Sequence, residues 1–207
     1  MCAALLRERP AEMKRRHLGF ALLVTSCLPD EGKTTFCHEL GRFVAASGVR
    51  TLIVRAEGHS EFCDGAIAPQ ATQVDPASPL FSVVWSVPAT TLGNEDLAET
   101  IAAWQRQYGL IVFDTPPPTA MAESLVLASL VESTVVLARV DRTPRSLLAG
   151  VTAQIASAGA RLAGVALTFV RLDTQRGVMP SDPAYWFNRN RSYQRQVVAA
   201  TRPSARI

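Results

Sequence analysis

Apolar residues fall along this chain in short unbroken runs, separated by stretches of helical periodicity. Phe20-Ala21-Leu22-Leu23-Val24, Thr51-Leu52-Ile53-Val54, Phe81 to Val87, Leu110-Ile111-Val112-Phe113, Ser133 to Val140 and Leu162 to Val170 each read as a strand. Continuous runs of this length, rich in β-branched side chains, belong to strands covered on both faces. Between them, Phe36, Leu40, Phe43 and Val44 recur at helical spacing and predict one buried face on a helix from Phe36 to Ala46. Ser47-Gly48 supplies its stop, with Gly48 placed for a left-handed cap. Asp96 is placed to cap a helix reaching about Tyr108, with Leu97, Ile101 and Trp104 facing inward, and Arg145 to Ala158 predicts another. Residues 58–80 carry several glycine and proline breakers and read as a long loop. Strands alternating with helices predict an α/β fold with a doubly wound, mainly parallel sheet.

The first strand runs into Thr25-Ser26-Cys27-Leu28-Pro29-Asp30-Glu31-Gly32-Lys33-Thr34-Thr35, and a helix leads out. Strand, tight loop and helix start, with Gly-Lys-Thr at the turn, is the context of a phosphate-binding loop. Unpaired N–H groups at a helix N-terminus carry partial positive charge and stabilise an anion placed there. Pro29 to Thr35 are thus the candidate nucleotide contacts, with Lys33 reaching the terminal phosphates and the Thr34 hydroxyl on magnesium. The usual G-x-x-x-x-G-K-[ST] pattern has glycine where Cys27 stands. A second strand ends in Asp114, at the carboxyl edge where open parallel sheets bind ligands. Asp114 is therefore the second candidate metal contact, and Glu57, after the Thr51–Val54 run, a further candidate catalytic carboxylate. The architecture implied is that of a P-loop NTPase, Rossmann-like in its winding.

Composition adjusts this picture at the ends. The net charge of +3 is concentrated there: Met1 to Arg16 has five basic and two acidic residues, Arg171 to Ile207 seven and two. Three segments result, a basic arm over 1–17, a nucleotide-binding domain over 18–173, and a basic tail over 174–207 containing Tyr185-Trp186-Phe187 and Tyr193. Basic ends suit an acidic protein or membrane surface. Nucleic-acid binding is disfavoured, because the arginines are spread along the tail rather than gathered on one face. Four cysteines, Cys2, Cys27, Cys37 and Cys63, show neither C-x-x-C pairing nor zinc-ligand spacing and read as cytoplasmic thiols. No apolar run approaches the ~20 residues of a membrane span. The expected location is the cytoplasm, with recruitment to the inner face of the plasma membrane through a partner or the basic ends.

These motifs resemble those of the bacterial tyrosine kinase (BY-kinase) family, cytoplasmic ATPase partners of capsule and exopolysaccharide chain-length proteins. Pro29-Asp30-Glu31-Gly32-Lys33-Thr34 looks like the family's P-G-E-G-K-[ST] loop, and Tyr108 to Pro117 like its Y-D-hydrophobic-D-T-P-P strand. Val136-Leu137-Ala138-Arg139 with Thr143, then Gly164-Val165-Ala166-Leu167, follow its V-V-R-x-x-x-T and G-V-V-L-N segments. The resemblance implies ATP and Mg2+ as cofactors, with Lys33, Thr34 and Asp114 in the phosphate and metal roles. It also implies a membrane polysaccharide co-polymerase as partner, self-association, and tail tyrosines, here Tyr185 and Tyr193, as phosphate acceptors. The MinD/ParA-type ATPases carry a signature lysine where Leu28 stands, which argues against a partitioning ATPase.

The departures matter as much. The family's D-x-D-x-R motif reads Arg55-Ala56-Glu57-Gly58-His59, reversing the first charge. Two unit charges ~4 Å apart interact by about 4 kcal/mol at an effective dielectric of ~20. The swap therefore predicts a rate loss of about 10³ or more, unless Arg55 pairs with Glu57 or lies against the phosphates. The asparagine expected for base recognition is Thr168, and the ring-building E-x-x-R-x-x-R reduces to Glu12-Met13-Lys14-Arg15 with Leu18 in place of the second arginine. Two functions follow: a regulatory, nucleotide-holding module of exopolysaccharide or capsule biosynthesis with weak or no transfer, or an active autokinase that phosphorylates its own tail.

Overall fold

Phe20–Ser26 (β1) is buried along its whole length, as is Leu110–Asp114 (β5), which places both at the centre of a sheet. The computed structural model describes residues 18–57, 71–86 and 95–170. Around the central pair lie β2 (Thr51–Glu57), β3 (Thr72–Gln73), β4 (Leu80–Ser86), β6 (Ser133–Arg139) and β7 (Leu162–Thr168), in a seven-stranded sheet ordered β3-β4-β2-β5-β1-β6-β7. Every pairing is parallel except β3 with β4, as the expected doubly wound α/β fold requires. The helices among the described residues are α1 (Lys33–Ala45), α2 (Glu95–Gln107), α3 (Glu123–Leu130) and α4 (Arg145–Ser157). Contacts divide the chain into two compact units, Met1–Thr168 and Phe169–Ile207, and the whole sheet lies in the first.

Alternation along the strands builds two large cores, beside a smaller cluster of Cys27 and Val136 with Val151 and Ile155 of α4. Ala21, Leu23, Leu52, Val54, Ile111 and Phe113 point to one face and meet Leu97, Ile101 and Trp104 of α2 and Leu127 of α3. Phe20, Leu22, Val24, Ile53 and Val112 point to the other and meet Cys37, Leu40 and Val44 of α1. Successive strand side chains leave on opposite faces, so an unbroken apolar run serves both layers. Each fully buried Leu or Phe contributes about 1.5–3 kcal/mol through burial. α1 can lie this close because Gly41 has no side chain: a Cβ there would stand 2.9 Å from Ile53 Cδ1.

Three expectations are revised. Phe43 is 60% exposed, because the buried stripe of α1 runs through Cys37, Leu40, Gly41, Val44 and Ala45, and residue 43 turns outward. α2 begins at Glu95, so Asp96 falls inside its first turn rather than ahead of it. α3 and the two-residue β3 are elements that periodicity does not announce. Glu123–Leu130 is short and almost uniformly apolar, and both residues of β3 are exposed. Gly48, at φ 80°, takes the left-handed turn expected after α1.

Candidate nucleotide site

The connections from β1 and β5 leave on opposite faces of the sheet, to α1 on one side and α3 on the other. The carboxyl ends of these adjacent strands therefore form an open crevice, the usual ligand position in such sheets. The loop after β1 starts α1 at Lys33, three residues before the helix expected from periodicity, with Gly32 at φ 86° as its N-cap. Phe36 N–H is the first to bond back into the helix, to Gly32 O at 2.9 Å. The amides of Lys33, Thr34 and Thr35 thus lack intrahelical acceptors, and no acidic residue occupies the first turn. That is an anion-binding geometry.

Asp30 also takes a left-handed backbone, φ 59°, at the position where the kinase loop pattern has glycine. Lys33 Nζ folds back to donate to Ser26 Oγ at 2.9 Å, and Ser26 Oγ donates in turn to Leu28 O at 2.6 Å. Burial holds the Lys33 ammonium below its ordinary 10.5, against the opposing pull of the Asp114, Glu31 and Asp30 carboxylates. Thr34 Oγ1 donates to Asp114 Oδ2 at 2.7 Å, joining residues 80 apart in the chain. The sequence from Asp114 onward is stitched to the end of β1: Thr115 N–H and Oγ1 both reach Val24 O, and Thr25 Oγ1 donates to Pro116 O at 2.9 Å.

Arg55 pairs in register with Asp114 across β2 and β5, so the two Cα positions face the same side of the sheet. An open cavity of about 310 Å³ lies there, lined among others by Thr34, His38, Arg55, Thr72, Ser82 and Asp114. His38, one turn after Thr34 on α1, was not singled out by the motifs, although its i, i+4 spacing from Thr34 signals a shared face. Glu57 is the last residue of β2, and its side chain lies outside the described residues, as do Tyr185 and Tyr193. Thr168 ends β7, its hydroxyl 3.4 Å from Ala138 O.

Cys27, in the place of the first loop glycine, is fully buried. Burial, reinforced by Glu31, pushes its thiol up to about 11, and burial raises Cys37 as well, so neither is a thiolate near neutral pH. Leu28 packs toward Cys27, Val136, Val151 and Ile155. Glu31 is the residue whose setting the motifs hide. It is fully buried, and its Oε2 accepts from Cys27 N–H at 2.9 Å and Leu28 N–H at 3.0 Å. Its Oε1 accepts from the Thr143 hydroxyl. Among the described residues no cluster of three His, Cys, Asp or Glu side chains could hold a metal by itself, and no helix is long and apolar enough to cross a membrane.

No profile of a known protein family matches the chain. A Klebsiella pneumoniae protein named as a tyrosine-protein kinase in the cps region is 23% identical over 148 residues. That match takes in 61% of this chain but 20% of the relative, so the chain spans about a fifth of its length. Among solved structures, the VpsO kinase domain superposes with a TM-score of 0.61 at 24% identity, covering 82% of this chain and 95% of that one. The kinase domain of the Escherichia coli tyrosine kinase ETK gives 0.64 at 18% identity, covering 78% and 71%. The MinD cell division protein of Aquifex aeolicus gives 0.62 at 15% identity, covering 75% and 71%. The resemblance to bacterial tyrosine kinases read from the motifs is borne out by these matches. At such identities the structural likeness is one of fold, and the fold is that of P-loop NTPases.

Proposed function

We propose that the chain binds ATP with magnesium and acts in exopolysaccharide or capsule biosynthesis and export as a regulatory module with weak or no kinase activity. The observation that carries this reading is the 2.7 Å contact of Thr34 Oγ1 with Asp114 Oδ2, beside a helix start whose first amides are open. A hydroxyl and a carboxylate are the hard oxygen donors that magnesium takes from protein, leaving its other positions to water and phosphate. Thr34 and Asp114 would hold the ion. Bound there, it would neutralise phosphate charge during transfer. Lys33 meets the terminal phosphates with its ammonium, and the amides of Lys33, Thr34 and Thr35 orient them. Pro29, Asp30 and Gly32 shape the loop that closes over the phosphates.

Arg55 is the reason for expecting weak transfer. It stands in register with the metal carboxylate, where the family motif has its first aspartate, and it adds a cation beside Asp114. Leu28 supports a kinase-like rather than a MinD-like reading, since its side chain packs inward where the partitioning ATPases carry their signature lysine. The cps-region relative supports a polysaccharide setting, with a membrane co-polymerase as partner and recruitment from the cytoplasm to the plasma membrane. The intact Lys33, Thr34 and Asp114 set favours a second reading, an active tyrosine autokinase with Tyr185 or Tyr193 as acceptor and Glu57 as an additional catalytic carboxylate.

The test is thermal denaturation with and without Mg-ATP, followed by phosphotyrosine mapping after incubation with labelled ATP. The wild type should gain stability from nucleotide and Lys33→Ala should not; a wild type without a shift refutes both readings. Strong labelling of Tyr185 or Tyr193 selects the autokinase. With the weak-transfer reading, Arg55→Asp should raise labelling, and an unchanged rate removes charge reversal as the cause.

A further inference from the structure

The geometry points to Glu31 and Thr143 as a positioning pair that sets the shape of the phosphate loop from beneath, making the β6–α4 turn a control point for nucleotide affinity. The inference rests on the nucleotide reading above and adds the device that tunes the site. A buried carboxylate is tolerated only when donors neutralise it. Glu31 has three: the amides of Cys27 and Leu28 on one oxygen and the Thr143 hydroxyl on the other. Thr143 is saturated as well, because its hydroxyl proton goes to Glu31 while its oxygen accepts Arg139 N–H at 2.8 Å.

The turn that presents Thr143 is itself closed. Thr143 N–H returns to Arg139 O at 3.0 Å, and the Arg139 guanidinium forks onto Asp141 at 2.8 and 3.2 Å. Two amides at the start of the loop are therefore committed inward, while those of Lys33, Thr34 and Thr35 remain for phosphate. The loop is pre-shaped, and the entropy of ordering it is spent in folding rather than in binding. Through Thr143, a turn 112 residues further along the chain fixes that shape.

The experiment measures binding of a fluorescent ADP by polarisation, amide exchange of the loop in nucleotide-free protein, and melting temperature. Loss of one hydrogen bond to a charged group predicts that Thr143→Val weakens ADP about tenfold. Thr143→Ser, which keeps the hydroxyl, should stay within about twofold, and exchange at Cys27 and Leu28 should quicken in the Val variant alone. Glu31→Gln should weaken ADP at least as much, and adding Thr143→Val to it should cost nothing further. A Val variant that binds ADP like the wild type, with only its melting temperature lowered, overturns the proposal. A wild type that binds no ADP refutes the nucleotide site instead, and the exchange rates at Cys27 and Leu28 still decide whether the pair holds the loop.

Discussion

Asp30 offers a quantitative test of how this loop departs from the kinase pattern. Its φ of 59° lies in the left-handed region, which costs an L-residue roughly 1–2 kcal/mol, somewhat less for Asp. Its carboxylate is exposed and acts on the Lys33 ammonium, so it also acts on any phosphate that Lys33 would hold. Taking ~7 Å and an effective dielectric of ~40 for a surface loop, one carboxylate and one phosphate charge repel by about 1 kcal/mol. That is roughly fivefold in Kd. Asp30→Asn separates the two terms, because Asn tolerates the left-handed backbone while losing the charge. It should bind Mg-ADP about fivefold tighter at low ionic strength, and the gain should shrink at about 0.5 M salt through screening. Asp30→Gly should bind as tightly and relieve the backbone, although glycine returns about 0.5–1 kcal/mol in chain entropy. Asp30→Ala loses the charge and keeps the strained φ, so it should melt below the glycine variant. Calorimetric titration at two salt concentrations checks the first term, and chemical denaturation the second. An Asn variant with wild-type affinity at low salt, or a gain that salt leaves untouched, refutes the electrostatic reasoning; an Ala variant more stable than Gly by the full entropy difference of about 0.5–1 kcal/mol refutes the strain.

Lys33 predicts a pH dependence. Because burial lowers its folded pKa below the unfolded 10.5, the unfolded chain holds more protons in that window, and stability without nucleotide should rise with pH there. Nucleotide affinity should move oppositely, falling as the ammonium deprotonates, with proton uptake on binding; titrations in buffers of different ionisation enthalpy at alkaline pH measure it. Thr134 is fully buried, and its hydroxyl finds no partner among the described residues, so Thr134→Val should stabilise the fold by about 1 kcal/mol in a denaturant titration. Gly19 is fixed by its neighbours: a Cβ there would lie 1.8 Å from Tyr108 O, so Gly19→Ala should lower the melting temperature measurably or prevent folding.

The central strands were legible because they are covered on both faces, and apolar runs such as Phe20–Val24 and Leu110–Phe113 have no other stable use; β7, expected to be covered likewise, is an edge strand that leaves Val165 and Leu167 exposed. The meeting of Thr34 with Asp114 was legible for a related reason: Asp114 ends β5, and Thr34 opens the helix that follows β1, the neighbouring strand. What escaped was whatever carries no period. α3 is apolar nearly all round, and the exposure of Phe43 depends on the angle at which α1 rests over Gly41 and Ile53. Glu31 escaped because its position in the loop reads as a phosphate-side residue, while its partner Thr143 is brought in by the β6–α4 turn. A signal existed: a carboxylate within an anion-binding loop must spend its charge elsewhere, and donors from the loop's own backbone are the nearest available.

Fold alone does not decide between a kinase-like chain and a cell-division ATPase, since TM-scores of 0.64 and 0.62 are the same result. Leu28 at the signature-lysine position bears on that choice, and charges around one ammonium bear on whether a phosphate would be transferred. Lys33 feels three carboxylates, but they differ in what they can do to a triphosphate. Glu31 is saturated by three donors beneath the loop, and Asp114 is engaged with Thr34 where a metal would join them. Asp30 is the exposed one of the three, and beyond its pull on Lys33 it would repel a phosphate held there. Arg55, in register with Asp114, supplies positive charge on the side of the sheet where the family motif supplies negative. Charge that would complement a bound phosphate is thus retained, while the first carboxylate of the family motif, which would stand beside a metal, is replaced by Arg55. On the reading proposed above, a site so arranged would hold a nucleotide better than it would spend it.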